Sequence, residues 1–280
     1  MFGEIFGRFF LGPHLGEVSI PNPDVCTLSE LVETWHLWPD FVRRAPHKKK
    51  QLYTMFETSD VHPDIINAMK CFDVVIVPMP FLRDILVSHG VNAITTNFYT
   101  SDIIRSKPSI IPKQRNPKKL IYLYVGTNDM RKNVTGLTRT FAKAAEGTEH
   151  MLVVKTNKSD DLTVTKNIKV ITDKIPIDVL VSLYNMCDCV ITFTNGEGVG
   201  LPMLEADYFR KPVIASDGGV FKDVKSLITV PWHVLPSEEV DIDVTKAPDF
   251  LKKVFYKSWW EVDEDKALKV IMSTFTDDGS

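Results

Sequence analysis

Between residues 119 and 216 the sequence alternates short apolar runs with amphipathic segments, and few folds accommodate that spacing. The apolar runs have the length and composition of strands that are buried on both faces. They cover residues 119–126, 150–156, 168–172, 189–194 and 212–216. The amphipathic segments predict helices at residues 133–147, 176–187 and 201–210. Strands that alternate with helices in this way form a parallel sheet covered by helices, so we predict an α/β domain.

The first half of the chain carries a weaker version of the same pattern. Apolar runs at residues 51–57 and 73–79 predict strands, and residues 63–71 and 81–90 predict helices. Thr27 and Glu30 have the spacing of a capping box, which predicts a helix from residue 27 to about residue 37.

The segment between the two patterns and the end of the chain complete this outline. Residues 107–119 hold three prolines and show no period, a composition typical of a linker. Residues 259–275 predict a final amphipathic helix that begins with Trp259 and Trp260. We therefore predict two α/β units that are joined near residue 112.

The composition is that of a globular protein and argues against two classes of function. With 44% hydrophobic and 25% charged residues, the chain can bury a sizeable core. A formal net charge of −3 argues against a protein that coats nucleic acid. No apolar run approaches the ~18 residues of a membrane-spanning helix, and residues 1–12 lack the pattern of a signal peptide. We expect a cytoplasmic protein whose four cysteines, Cys26, Cys71, Cys187 and Cys189, lack metal-binding spacing.

A glycine-rich loop links the predicted strand at residues 189–194 to the predicted helix at residues 201–210. In a parallel α/β sheet, ligands bind outside the carboxyl ends of the strands, where this loop should lie. Glycines before a helix leave backbone N–H groups free at its N-terminus, which suits a phosphate. Glu197 lies in the loop and Glu205 about one turn into the helix, and carboxylates suit neighbouring sugar hydroxyls. Phosphate and hydroxyls together indicate a sugar nucleotide.

A second loop follows the predicted strand at residues 119–126 and contains two adjacent cations. Arg131 and Lys132 stand just before the next predicted helix, where they could reach a pyrophosphate. A blander interpretation is open for both loops. The cations could be surface charges, Glu197 could be solvated, Glu205 could cap its helix, and the glycines could serve the turn alone.

These motifs resemble the carboxyl-terminal domain of the retaining glycosyltransferases of family 4. The resemblance rests on Gly126 with Lys132 six positions later, and on LYNMCDCVITFTNGEGVGLPMLEADYFRKPVIASDGGVFKDV at residues 183–224. Within this segment, Glu197 and Glu205 match the E-x7-E pair of the family. The similarity covers roughly residues 118–230.

The resemblance implies an α/β protein with the GT-B fold, in which two Rossmann-like parallel-sheet domains face a cleft. Residues 1–112 would form an abbreviated amino-terminal, acceptor-side domain, completed by a helix at residues 259–280 that crosses back to it. Residues 113–258 would form the carboxyl-terminal domain, which binds the nucleotide sugar.

The resemblance also implies a role for each residue of the motifs. Lys132, with Arg131, would bind the donor diphosphate, Glu197 the hydroxyls of the transferred sugar, and Glu205 the ribose hydroxyls. The remaining donor-site residues would contribute backbone, namely Gly126, Gly198, Val199, Gly200 and Leu201. Glu57 is the best amino-terminal candidate for a contact with acceptor or sugar, so the expected catalytic residues are Glu197, Glu57 and Lys132.

Three positions depart from the family pattern. Thr127 stands where many members have an arginine, Asn133 where a glycine is usual, and Lys155 where a glycine is common. The first departure removes one phosphate-binding charge.

The function that follows is a retaining, hexosyltransferase-like enzyme of class EC 2.4 with an unidentified acceptor. The donor would be a UDP- or GDP-sugar, and no other cofactor is expected. Cations and backbone dipoles would balance the leaving diphosphate, so no metal is expected either. Two alternatives remain open: an inactive GT-B module that binds a nucleotide sugar or a partner, and a sugar-nucleotide epimerase.

A basic and aromatic segment at residues 35–50 suggests a second binding surface. Its cations are Arg43, Arg44, Lys48, Lys49 and Lys50, and its aromatic residues are Trp35, Trp38 and Phe41. Such a mixture suits peripheral contact with an anionic membrane surface or a phosphate-rich polymer. The alternative is a solvated loop.

Overall fold

The computed structural model describes residues 24–30, 32–96, 119–224, 227–236, 249–255 and 258–276. The chain forms two compact units: Met1–Phe98 with Pro236–Ser258, and Tyr99–Leu235 with Trp259–Ser280. Most of the predicted linker, residues 107–118, and the predicted junction near residue 112 lie outside the described residues.

The first unit contains a parallel sheet whose strands follow the order of the chain. The strands are β1 Val25–Ser29, β2 Lys49–Tyr53, β3 Val74–Val77 and β4 Ala93–Thr95, in the order β1-β2-β3-β4. The helices are α1 Trp38–Arg44, α2 Pro63–Met69 and α3 Pro80–Ser88. Strand and helix contribute fully buried side chains such as Leu52, Val75 and Leu82, so one apolar core serves both layers.

The helix predicted from residue 27 is wrong. Thr27 lies in β1, in register with Gln51 of β2, and a 3-10 turn begins only at Val32 before α1 starts at Trp38. A capping box is a local signal, whereas all five β1 residues are in register with β2 of the sheet. Pro39 was expected to follow the helix but lies in the first turn of α1, where no intrahelical N–H bond is needed.

The second unit contains a six-stranded parallel sheet, which confirms the predicted α/β class. Its strands are β5 Ile121–Val125, β6 Met151–Lys155, β7 Ile168–Ile171, β8 Cys189–Ile191, β9 Val213–Ala215 and β10 Leu227–Thr229. Their order is β10-β9-β8-β5-β6-β7, and every neighbouring pair is parallel. The chain builds outward from β5 on one side and from β8 on the other. The carboxyl ends of these two strands therefore mark the switch point where a doubly wound sheet opens a crevice.

Helices and a short second sheet complete this unit. The helices are α4 Val134–Ala144, α5 Ile177–Met186, α6 Leu201–Tyr208 and α7 Glu264–Thr276, and β11 Trp232–Pro236 is adjacent to β12 Ser258–Val262 in a two-stranded sheet. The predicted terminal helix thus starts later than expected, and Trp259 and Trp260 lie in β12.

The terminal helix packs within the second unit, which differs from the predicted division of the chain. Tyr122 Oη and Thr274 Oγ1 of α7 are 2.6 Å apart. The Phe275 ring stacks on His150 at 4.1 Å between centroids and meets Phe141 edge-on. These aromatic contacts bury one face of α7 against the core of the second unit. Conversely, residues 236–258 belong to the first unit rather than to the second.

Along the described part of the chain, none of the helices combines the length and apolar character needed to cross a bilayer.

Candidate active site

The loop after β5 is shaped by a network of short hydrogen bonds. Buried Tyr124 donates its hydroxyl proton to the Thr127 carbonyl at 3.0 Å. A Cβ added to Gly126 would lie 2.5 Å from that phenol oxygen, so a larger residue would disturb the bond. Thr127 in turn donates to Asp129 Oδ2 at 2.6 Å. The backbone therefore passes close over Tyr124, which gives Gly126 a structural reason in addition to its predicted place in a donor site.

Asp129 and Asn133 fix the backbone on either side of the two cations of this loop, Arg131 and Lys132. Asp129 Oδ1 accepts from the Lys132 backbone N–H at 3.0 Å and caps the 3-10 turn Met130–Lys132. Asn133 ends the turn with φ 46° and caps α4 by accepting from the Gly136 N–H. Asparagine tolerates this left-handed conformation better than other residues with side chains, which explains how it can replace the usual glycine.

The loop after β8 meets the loop after β5 through the backbone. The Asn195 N–H donates to the Arg131 carbonyl at 2.7 Å, and Thr194 Oγ1 donates to the Gly196 carbonyl at 3.0 Å. Gly200, with φ 70°, turns the chain into α6, which begins at Leu201. The structure thus brings together the two loops that the sequence placed at the same sheet edge.

Arg131, Lys132 and Glu197 form a charged cluster where these loops meet. Lys132 Nζ donates to Glu197 Oε1, and Arg131 Nη1 lies 3.6 Å from Glu197 Oε2. Arg131 Nη1 also donates to the Gly196 carbonyl at 2.5 Å. The three side chains are only 19%, 13% and 12% exposed, so solvent screens their charges weakly. Two cations face one carboxylate, which leaves a formal excess of one positive charge.

Glu205 lies on α6 in a partly buried environment of its own. Tyr184, a fully buried residue of α5, donates its hydroxyl proton to Glu205 Oε2 at 2.5 Å. Burial raises the pKa of Glu205 to about 7, and the hydrogen bond from Tyr184 opposes part of that rise. Glu205 is the fifth residue of α6 and bonds to Tyr184 of α5, and the blander interpretation of Glu205 as a helix cap stays open.

The remaining predicted backbone residues surround the start of α6. Gly198, Val199 and Gly200 are buried, and Leu201 is exposed. The first turn of a helix has N–H groups without intrahelical partners, so this end of α6 carries a partial positive charge. Whether these residues contact a donor stays a prediction.

Glu57 lies in the first unit, in the loop that follows β2, and is half-buried. Its assignment to acceptor or sugar stays a prediction.

The aromatic half of the basic segment does not face solvent as a membrane surface requires. Trp38 is 1% exposed and Phe41 stacks on Phe72, so both belong to the core of the first unit. Lys253 Nζ lies 5.4 Å from the centroid of the Trp35 ring, in a cation–π contact.

Four of the five cations in the same segment are exposed, Lys50 is half-buried, and three of them have acidic partners. Arg43 and Arg44 pair with Asp40, and Lys48 Nζ lies 3.3 Å from Asp24 Oδ1. Lys49 and Lys50 begin β2.

Sequence reasoning missed two residues that support the site. In the sequence, Tyr184 occupies an ordinary apolar position of an amphipathic helix. Its spacing to Glu205 does not predict a contact between the two side chains. Trp260 reads as part of a helix, yet its backbone N–H donates to the Asn195 carbonyl at 2.8 Å. Both partners are remote in sequence, so only the fold reveals them.

Among the described residues, no group of three or more His, Cys, Asp or Glu side chains has an arrangement that could hold a metal ion.

Comparison with known proteins finds one family match and several structures of similar fold. Residues 106–226, less than half of the chain, match the family described as Glycosyl transferases group 1. A search of curated proteins finds no match to the sequence.

Solved structures of similar architecture include the three that follow. The lipopolysaccharide outer core galactosyltransferase WaaB is 15% identical. Its TM-score is 0.57, and the match covers 91% of this chain and 68% of WaaB. Sucrose-phosphate synthase from Thermosynechococcus elongatus is 14% identical, with a TM-score of 0.55 over 99% and 74%. TarM is 15% identical, with a TM-score of 0.55 over 91% of this chain.

At these identities the likeness shows the fold alone, and it confirms the predicted GT-B architecture. The chain spans about half of TarM, at 52% of its length.

Proposed function

We propose that this protein is a retaining glycosyltransferase that moves a sugar from a UDP- or GDP-sugar to an acceptor. The observation that carries the proposal is the convergence of Arg131, Lys132 and Glu197 at the switch point of the second sheet. The group 1 glycosyltransferase domain over residues 106–226 supports the same class of reaction.

In this proposal the donor diphosphate binds at the charged cluster because the cluster is positively charged. The charged cluster has one more cation than anions, and the N-terminus of α6 adds a partial positive charge. A bound diphosphate would compete with Glu197 for Lys132 and Arg131. When the bond from the anomeric carbon to the diphosphate breaks, negative charge grows on the leaving oxygen. Positively charged groups fixed beside that oxygen stabilise the transition state more than the ground state.

Glu197 then has two successive partners. Without donor, its carboxylate neutralises Lys132. With donor, the diphosphate takes over Lys132, and the Glu197 oxygens become available to the hydroxyls of the sugar. The empty cluster has a formal excess of one positive charge, and a diphosphate with two negative charges would reverse that sign, offset in part by the N-terminus of α6.

Glu205 suits the ribose because a carboxylate can accept from two vicinal hydroxyls. Its raised pKa has a consequence for this role: the ionised form, which accepts both bonds, predominates only above about pH 7 in the empty site. In this scheme Lys132, Arg131 and backbone dipoles balance the leaving group, and no metal ion is assigned a role.

A second candidate function is a module that binds a nucleotide sugar without turnover. Thr127 favours it, because this residue supplies no charge where many family members have an arginine and instead bonds to Asp129. The two candidates differ only in whether a new glycoside or free sugar appears.

One experiment tests both. Purified protein is titrated calorimetrically with UDP- and GDP-sugars, and the best donor is then incubated with acceptor extracts while released nucleoside diphosphate is assayed. The enzyme predicts binding and release, and the module predicts binding without release. If no nucleotide sugar binds at millimolar concentration, the proposal fails.

A further inference from the structure

We propose that Tyr184 is a positioning residue for the donor: its hydroxyl fixes the Glu205 carboxylate in one orientation for the ribose hydroxyls. This inference rests on the proposed function, because it assigns Glu205 to the ribose. It adds a residue outside the motifs, on a different helix, whose only polar atom besides the backbone bonds to that carboxylate.

The geometry makes Tyr184 a rigid support. Its side chain is fully buried, and its ring stacks on Phe209 with 5.3 Å between centroids and an angle of 10° between planes. The ring therefore cannot turn away without breaking core packing. Phe209 follows α6 directly, so the hydrogen bond and the ring contact tie α5 to Glu205 within α6 and to the residue that ends this helix.

The phenol also has a fixed chemical role. Burial raises the pKa of Tyr184 well above its ordinary value, and the neighbouring Glu205 raises it further, so the hydroxyl keeps its proton. A buried hydroxyl that cannot ionise acts as a constant donor towards the carboxylate. The buried thiol of Cys187, which follows α5, is the other titratable group that interacts with this phenol.

One carboxylate can serve Tyr184 and a diol together. The phenol occupies a single acceptor position on Oε2, and a carboxylate offers about four such positions. Among the described residues, no other hydrogen bond to the Glu205 side chain is formed. The carboxylate is thus held on one side and remains available on the other, which lowers the cost of ordering it when a ligand binds.

A purely structural hydrogen bond would give the same picture, so the test must separate the two roles. Tyr122 is the matched control, because it is 1% exposed, lies in the same unit and shares a bond of 2.6 Å with Thr274 Oγ1 outside the site. Tyr184→Phe and Tyr122→Phe each delete one buried hydroxyl and keep the ring. We expect both variants to lose a similar amount of thermal stability. A difference in affinity between them then reports the role of the Tyr184 hydroxyl in binding.

The measurement is the affinity for UDP-glucose and GDP-mannose by calorimetry between pH 5.5 and 8.5. Nucleotide sugars are chosen because their diphosphate diester does not titrate in this range. A diol that donates to the carboxylate binds the ionised form, so wild-type affinity should rise with pH and level off above about 7. Glu205→Gln, which stays neutral, should bind weakly and lose this pH dependence.

Tyr184→Phe removes a bond that lowers the Glu205 pKa, so its affinity profile should move to higher pH. At pH 7 we expect a five- to twentyfold weaker affinity, partly restored at pH 8.5, while Tyr122→Phe follows the wild type. If Tyr184→Phe matches Tyr122→Phe in affinity and profile while Glu205→Gln is impaired, the inference is overturned and the proposed function stands. If Glu205→Gln binds like the wild type, or nothing binds the wild type, the donor assignment itself fails.

Discussion

In the described residues both units contain a parallel sheet, but a cluster of three largely buried charges lies beyond the carboxyl ends of the strands in the second unit. In the second unit the strand order reverses between β5 and β8, and the loops that follow these strands bring Arg131, Lys132 and Glu197 together. In the first unit the described strands run β1-β2-β3-β4 without reversal. A switch point leaves room between diverging loops, and a sheet without one does not provide it. The strand order of the second unit therefore accounts for the position of its charged cluster.

The charges of the two units also have different partners. In the second unit, Lys132 and Glu197 are 65 positions apart, and both are largely withdrawn from solvent. In the first unit, Arg43 and Arg44 pair within one helix with Asp40, and all three side chains are more than half exposed. Exposed pairs of near neighbours contribute little to stability, whereas a partly buried long-range pair constrains the fold around it. The following predictions test this contrast, from the largest expected effect to the smallest.

Replacing Lys132 by alanine should weaken nucleotide-sugar binding about 100-fold. One hydrogen bond to a charged group contributes about 1.5–3 kcal/mol, and Glu197 would also lose its main cation. Calorimetry with the best donor measures the loss, and circular dichroism confirms that the variant folds. Lys143→Ala, at the exposed end of α4, is the matched control and should bind like the wild type. Equal affinities of the two variants would show that the charged cluster does not bind the donor.

Replacing Gly219 by alanine should destabilise the second unit by about 2–4 kcal/mol. Gly219 has φ 61°, and an added Cβ would lie 2.8 Å from the Trp260 ring, so conformational strain and a clash combine. Gly147→Ala separates the two causes, because Gly147 has φ 74° and no atom within 4 Å of the added Cβ. It should cost only about 1–2 kcal/mol. Urea denaturation measures both, and equal losses would mean that the Trp260 contact yields without cost.

The pair of Asp64 and Lys253 should stabilise the first unit at neutral pH and lose its effect in acid. The bond from Lys253 lowers the pKa of Asp64, so the stabilisation is complete above the unfolded pKa of about 3.9 and disappears as the pH falls through the folded value. A double-mutant cycle with Asp64→Asn and Lys253→Met, measured by urea denaturation at about pH 7 and about pH 2.5, isolates the coupling. We expect a small positive coupling at neutral pH and a smaller one at the acid pH, which lies below the unfolded pKa of Asp64. An unchanged coupling would show that ionisation of Asp64 does not govern it.

The smallest expected effect concerns the proposed contact of the basic segment with an anionic surface. Replacing Lys48, Lys49 and Lys50 together by alanine should reduce co-sedimentation with anionic liposomes severalfold at low salt. Each basic side chain near such a surface contributes about 1 kcal/mol, and salt screens the attraction. Since Lys48 already pairs with Asp24, the full sum is not expected. The control replaces three exposed lysines of the other unit, Lys143, Lys166 and Lys169. Equal sedimentation of the two triple variants would show that the segment is an ordinary solvated surface without a role in membrane contact.

Much of the second unit was predictable because its signals are local and repeated. Buried parallel strands produce uninterrupted apolar runs, and the loops after β5 and β8 carry glycines and charges at fixed spacing. The first unit was predicted less well where two local signals competed. At Thr27 a capping box and a strand pattern overlap, and pairing with β2 decides between them. The aromatic residues of the basic segment misled for a related reason: Trp38 and Phe41 pack inward, which their spacing to the arginines does not reveal.

The sequence by itself determined the α/β class, the two loops of the proposed donor site and the choice of Arg131, Lys132, Glu197 and Glu205 as candidates, because periodicity and turn chemistry act over a few residues. Only the tertiary structure decided their partners. The strand order joined Lys132 to Glu197, helix packing brought Tyr184 to Glu205, and aromatic contacts placed α7 in the second unit. These contacts link residues that are 21 to 125 positions apart in the sequence. Their energies depend on burial, which no short stretch of sequence encodes.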